Sequence, residues 1–317
     1  MRARLVSMAL CALITFISAS GQGVSREPSS IEITESRELM LQGNYEEAAR
    51  RFNTISDKHP ESPAGEFYGA VTLIWKSYVD APKLDAGSRA FDAEIERLLA
   101  AAIKKAEALK ARDTKSQADE IEALYYLGSS YAIRSRLNFY QNHAIPAARF
   151  ARLSQDFFDA LLKLDANYWD GYYASGGIYY RVGLLTDSPI GRAATAMLGA
   201  KSLPTGDRER GLNYLKTASE KGSITSVDAK LSLLEIYTFN ENRFSDAATL
   251  ARELQTKYPG NQTFARYLLK AQLGLKNRAE VQKTARQILA LVKQGKPNFG
   301  AFMKAEAERA LAEAGGR

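Results

Sequence analysis

The sequence predicts an all-α solenoid in which antiparallel helix hairpins stack side by side. Ala, Leu, Glu, Lys and Arg recur at spacings of three and four residues, and Gly, Asn, Asp or Pro stand at the breaks. No segment alternates apolar and polar residues as a half-buried strand would. Two segments far apart in the chain also share one residue pattern, which indicates a repeat.

Residues Met1–Gly23 have the three zones of a secretory signal peptide. Arg2 and Arg4 supply positive charge, Leu5–Ile17 form an apolar run, and small residues follow. The apolar run is shorter than the roughly 20 residues of a membrane-spanning helix, so cleavage is favoured over an uncleaved anchor. We therefore expect an extracytoplasmic protein, periplasmic or secreted. Cleavage removes Cys11, the only cysteine, which excludes disulfides and cysteine nucleophiles.

The repeated pattern is the basis for choosing among helical folds. From residue 39 the chain reads LMLQGNYEEAARRFNTISDKHP, and from residue 236 it reads IYTFNENRFSDAATLARELQTKYP. Ala48 and Ala247 precede Pro60 and Pro259 by the same number of residues. A small side chain lets two helices approach closely, and proline ends the second helix. The segments resemble the second half of a tetratricopeptide repeat, a helix–turn–helix unit of about 34 residues.

The resemblance implies a helical repeat domain of this type over residues 31–293, irregular in its middle. We expect hairpins near 31–60, 61–112, 117–165, 168–221, 224–259 and 261–293, with a capping helix over 297–314. Extra residues at 134–146 and 183–206, and a long second helix at Phe91–Arg112, predict longer helices or side excursions.

The segment 184–220 adds a second resemblance. Its insertion precedes a Gly-Asp and Gly-Leu helix start, which is similar to the tetratricopeptide repeat protein 39 family. We expect residues 184–207 to form a helical excursion that packs on the array. The alternative is a flap that contacts a membrane or a partner.

Residues with catalytic chemistry are few in this chain. The two histidines are far apart: His59 precedes Pro60 at a helix end, and His143 lies in a connecting segment, so both suit surface or capping roles. The acidic residues form no pair by spacing, and no Gly-rich phosphate loop occurs. We expect neither enzymatic activity nor a metal or cofactor. The formal charge of +7 is a mild excess, and nucleic acid is not expected as a partner.

The resemblance instead implies binding, because in this repeat family the first helix of each hairpin lines a concave groove. A partner protein or peptide is expected there, since tyrosines flanked by mixed charge suit peptide recognition. The matching positions are Glu122, Tyr125, Ser129, Asp170, Tyr173, Gly177, Tyr180, Arg181, Asp228, Glu235, Arg266 and Lys270.

Two alternatives stay open at the level of sequence. An aromatic-lined pocket in residues 122–181 would serve a small-molecule or glycan binder or a hydrolase, because tyrosine and phenylalanine crowd this stretch. Stacking of the repeats between chains would give self-assembly. The partner's identity, membrane association and the oligomeric state are not determined by the sequence.

Overall fold

The computed structural model describes residues 30–84, 86–113, 116–189, 192–193 and 203–315. These residues contain thirteen helices and no strand. No helix among them is both long and apolar enough to cross a membrane. The helices are α1 (Ser30–Leu41), α2 (Tyr45–Lys58), α3 (Ala64–Ser77), α4 (Asp92–Lys110), α5 (Gln117–Tyr140), α6 (Ala144–Leu164), α7 (Gly171–Thr186), α8 (Arg208–Lys221), α9 (Ser226–Phe239), α10 (Phe244–Lys257), α11 (Gln262–Gly274), α12 (Arg278–Lys293) and α13 (Ala301–Gly315).

The helices pack in chain order, which confirms the predicted all-α solenoid of helix hairpins. Each helix contacts the next one along the chain. The odd-numbered helices also contact one another in succession, from α1 through α13, so they form a continuous row. The predicted signal peptide, and residues 190–191 and 194–202 of the 184–207 segment, lie outside the described residues.

Small residues stand where the paired helices come closest. Ala48 on α2 and Ala247 on α10 are fully buried. At the α7–α8 crossing, a Cβ on Gly176 would lie 2.9 Å from the carbonyl oxygen of Gly211. A Cβ on Gly211 would lie 2.5 Å from the main-chain nitrogen of Tyr180. A larger side chain at either glycine would push the two helices apart.

The irregular middle of the array consists of longer helices. Helix α5 has 24 residues and α6 has 21, and only a short turn at Asn142 separates them. Ser116 begins α5 with a capping box, because its side chain accepts from the Asp119 amide while the Asp119 carboxylate accepts from the Ser116 amide. The extra residues at 134–146 therefore extend a regular hairpin.

The first and last hairpins touch directly, so the array closes on itself. The side-chain amide of Asn261 donates to the Leu41 carbonyl at 3.0 Å, and that of Asn298 donates to the Gly43 carbonyl at 3.0 Å. Helix α13 packs on α11 and α12 around a second apolar core that includes Met303. The inner face of the odd-numbered helices is consequently enclosed by both ends of the chain.

Candidate functional site

The predicted binding positions lie on or at the start of α5, α7, α9 and α11, and they differ in exposure. Five of them are accessible to some degree: Lys270 is exposed, while Glu122, Tyr173, Arg181 and Glu235 are half-buried. The others are buried, and they are Tyr125, Ser129, Asp170, Gly177, Tyr180, Asp228 and Arg266. Most of the buried polar residues bind other parts of the chain.

Asp228 belongs to a buried cluster that we call the clasp, made of Arg37, Trp75 and Asp228. Arg37 on α1 donates to the Asp228 carboxylate, and the indole nitrogen of Trp75 on α3 donates to the same carboxylate at 3.2 Å. Burial lowers the pKa of Arg37, but the charge of Asp228 and the nearby tyrosines outweigh burial and raise it overall. Arg37 therefore stays charged, and the clasp joins α1, α3 and α9.

Asp170 and Tyr180 hold connecting turns in place. The Asp170 carboxylate accepts hydrogen bonds from the main-chain amides of Ile224 and Thr225 at 2.9 and 2.8 Å. The Tyr180 hydroxyl donates to the Glu241 carboxylate at 2.6 Å, in the turn between α9 and α10. Both side chains thus bind the chain itself.

Arg266 joins three parts of the array. Its guanidinium donates to the carbonyl oxygens of Tyr78 at 3.2 Å and Ala81 at 2.7 Å, which follow α3. It also pairs with Glu306 on α13 at 2.7 Å. Arg266 has only 1 % of its side chain exposed, and its contacts link the segment after α3 to α11 and α13.

The aromatic stretch packs ring against ring between α3, α5 and α7. Tyr125 lies 5.2 Å from Tyr126 and 5.6 Å from Tyr168, measured between ring centroids. Phe67 contacts Tyr126 edge to face at 5.3 Å. Burial raises the pKa of Tyr125 and Tyr126 well above the ordinary value. These rings belong to the apolar core, and each of them packs against another ring of the cluster.

Two of the accessible positions, Arg181 and Glu235, meet near one end of the inner face. Together with Arg136 they make a site that we call the arginine mouth. Arg181 on α7 and Arg136 on α5 approach the two oxygens of the Glu235 carboxylate on α9, at 3.5 and 3.9 Å. Arg181 has 42 % of its side chain exposed. Two guanidinium groups therefore share one carboxylate, so these three side chains together carry one net positive charge.

Aromatic side chains hold Arg136 in this position. Its guanidinium donates to the Tyr78 hydroxyl and lies over the rings of Tyr78 and Tyr140, 5.6 and 5.5 Å from their centroids. Burial lowers the pKa of Arg136, but the neighbouring tyrosines and Glu235 raise it overall. Burial also raises the pKa of Tyr78. The arginine is charged and the tyrosine is a neutral hydroxyl at neutral pH.

Exposed apolar side chains lie in the last turns of the same helices. Phe139 on α5, Leu185 on α7 and Phe239 on α9 are 53 %, 48 % and 38 % exposed. Alternate helices of an antiparallel array run parallel, so these three residues lie at the same end as the arginine mouth. Guanidinium groups beside exposed apolar side chains are typical of a protein-binding surface.

The sequence predicted Arg181 and Glu235 in this site but missed Arg136. The spacing of Glu122, Tyr125 and Ser129 along α5 continues by three and four residues to Arg136 and then to Tyr140. The predicted binding positions on α5 end at Ser129, so Arg136 and Tyr140 are not among them. The periodicity itself could have found them.

Aspartate, glutamate and the two histidines are spread along the described residues. Among them, no three His, Cys, Asp or Glu side chains converge to hold a metal ion. His59 ends α2 in a buried position, with its Nε2 3.8 Å from the Glu32 carboxylate, and His143 is exposed at the start of α6. A comparison with protein-family models and with curated protein sequences finds no match.

Proposed function

We propose that this chain is a non-catalytic binding protein that holds an acidic segment of a partner protein at the arginine mouth. The observation that carries the proposal is the excess positive charge where Arg136 and Arg181 share Glu235. A carboxylate of the partner would complete this arrangement by binding Arg181, the more exposed arginine. Phe139 and Phe239 offer apolar area to the same partner.

Because the inner face is closed, only part of the surface is open to such a partner. The clasp and Arg266 occupy the interior with hydrogen bonds between parts of the chain. A partner segment therefore docks at the end of the array, across the last turns of α5, α7 and α9. Because these helices are already joined to one another, little conformational entropy is lost on binding.

We also propose that the repeats are of the tetratricopeptide type and that the chain is exported. The repeated small residues at helix crossings support the first part, and the charge and apolar run at the N-terminus support the second. Mass spectrometry of the chain purified from the cell envelope should find an N-terminus that follows the small residues before Val24. An N-terminus at Met1 in a cytoplasmic fraction would contradict export.

The binding proposal is tested by capturing a partner protein and measuring its affinity for variants of the chain. The purified chain, immobilised, is incubated with a cell-envelope extract, and the protein retained in stoichiometric amount is purified. Its affinity is then measured by calorimetry for the wild type, Arg181→Gln and Arg97→Gln. Arg97 lies on α4 with 65 % of its side chain exposed, so its variant is a control that removes the same charge elsewhere.

Arg181→Gln is expected to raise Kd about tenfold and to weaken its dependence on salt, because one charge pair is lost. Arg97→Gln is expected to bind as the wild type does. Equal affinities for the two variants would overturn the proposed site. A bait that captures no partner would count against the proposed function as a whole.

A further inference from the structure

A cleft lies on the side of the last hairpins that faces away from the inner face, and we call it the outer groove. It runs between α10 and α12, has a volume of about 420 Å³, and has side chains of α11 as its floor. Clefts that bind small ligands have volumes of roughly 300–1,000 Å³. Its lining includes Arg252, Thr256, Leu268, Gln272, Lys283 and Gln287.

Gln272 is the unusual residue of this groove. It is 2 % exposed, and neither the nitrogen nor the oxygen of its side-chain amide has a hydrogen-bond partner. Buried polar groups in native proteins are almost always paired, because an unpaired one loses its hydration without compensation. An apolar side chain of similar size would avoid this cost. A glutamine at this position is thus explained by something that the described residues do not supply.

The chemistry of the amide indicates what that partner is. A glutamine side chain offers one acceptor and one donor side by side. One residue of an extended polypeptide presents its N–H and C=O on the same side, and the two pairs match. The last torsion of a glutamine side chain is soft, so the amide can turn towards an occupant at small cost.

The rest of the outer groove suits the same occupant. Leu268 and Leu291 provide apolar floor and wall for a side chain of the bound segment. At the rim, Arg252 and Lys283 lie 3.7 and 3.9 Å from the single carboxylate of Glu280. The rim therefore carries one more positive than negative charge among these three residues, which favours an uncharged or acidic segment.

We propose that the outer groove binds an extended polypeptide segment of a partner, with the Gln272 amide pairing with the N–H and C=O of one of its residues. The site goes beyond the arginine mouth and does not depend on it. The two lie on different helices, so one chain can hold two segments of a partner at once and gain affinity from both.

The experiment uses N-acetyl-leucine N-methylamide as the probe, because it is one apolar residue with both main-chain amides intact. The purified chain is labelled with ¹⁵N at glutamine side chains, and the probe is added to concentrations on the order of millimolar, the range of weak single-site ligands. The Gln272 side-chain signals, assigned by their absence in Gln272→Leu, are expected to shift and saturate. No shift would overturn the proposal.

The hydrogen bonds are tested with a second probe. The ester analogue of the first probe, 2-acetoxy-4-methylpentanoic acid N-methylamide, has the same shape but carries an oxygen in place of the leucine N–H. It therefore lacks the donor to the Gln272 side-chain oxygen and is expected to bind about tenfold more weakly to the wild type. Gln272→Leu is expected to bind both probes equally weakly. Equal affinity of the wild type for the amide and the ester would contradict pairing through the main chain.

Control variants separate binding from folding. Gln272→Leu is expected to melt no lower than the wild type, because it removes an unpaired buried amide, and Gln272→Met tests the same contact with an unbranched chain. Gln282→Leu, on α12 outside the groove lining, and Arg181→Gln, in the arginine mouth, are expected to bind the amide probe as the wild type does. Wild-type binding by both Gln272 variants would refute the role of this residue.

Discussion

Replacing Asp228 with asparagine tests whether the clasp holds the array closed. The substitution keeps the shape of the side chain but removes its charge. Arg37 then has no carboxylate partner in the clasp, although its side chain is only 5 % exposed. The Trp75 indole also competes with Arg37 for the one oxygen that remains, because asparagine has a single acceptor.

The expected cost follows from the burial of both partners. Removing one member of a buried ion pair leaves a charge without compensation and costs about 3–5 kcal/mol. Asp228 has 9 % of its side chain exposed, so water can compensate little. The exposed pair of Lys76 and Glu46, at 2.8 Å, is the matched comparison, and Glu46→Gln is expected to cost no more than about 1 kcal/mol.

The free energy of unfolding is measured by urea denaturation with tryptophan fluorescence as the readout. Trp75 is one of two tryptophans and sits in the clasp, so its emission reports on the closed array. Arg37→Met combined with Asp228→Asn is expected to be more stable than Asp228→Asn alone, since no charge is left unpaired.

A loss below about 1 kcal/mol for Asp228→Asn, equal to that of Glu46→Gln, would refute this reasoning. The reasoning would also be refuted if the double variant lost as much stability as Arg37→Met and Asp228→Asn lose together when each is measured alone. Either result would mean that the clasp is hydrated or that the stability of the closed array does not depend on it.

Three further predictions concern stability. Raising the pH from about 9 to about 11 should cost about 1 kcal/mol through Tyr68 alone, because burial raises its pKa from 10.0 to about 12. The unfolded chain then loses the proton first, so stability present below pH 10 is lost as the pH rises; an unchanged urea midpoint would contradict this. Gly176→Ala should cost about 1–3 kcal/mol, because its Cβ would meet Gly211, whereas Gly300→Ala meets nothing within 4 Å; equal melting temperatures would argue against the close crossing. Ser116→Ala should cost about 1 kcal/mol by removing the cap of α5, and a thermal melt matching the wild type would show the cap to be dispensable.

The helical architecture could be predicted because it depends on local and nearly local patterns. The spacing of apolar residues indicates helices, and Ala48 and Ala247 mark the crossings within hairpins, where both are buried. The same reasoning predicted longer helices or a side excursion at residues 134–146, and the structure shows longer helices. Residues 134–146 lack the repeat pattern, yet the apolar and aromatic spacing continues through Tyr140 and carries the helix on.

The candidate site was only partly predictable, because exposure depends on which distant helices meet. Asp228 and Arg181 occupy equivalent faces of neighbouring helices, and the sequence assigned both to a groove. Asp228 is instead buried by Arg37 from a helix far away in the chain, while Arg181 stays half-exposed. Nothing in the residues around Asp228 indicates that contact.

The sequence by itself determined that this chain forms helices, that the helices pair, and where small residues let them cross. Those properties arise from interactions between residues within one hairpin. Only the tertiary structure decided that the array closes, that the clasp and Arg266 fill its interior, and that Arg136 and Arg181 converge on Glu235. The physical reason is that curvature accumulates over all the hairpins, so the contacts that close the array join residues far apart in the chain.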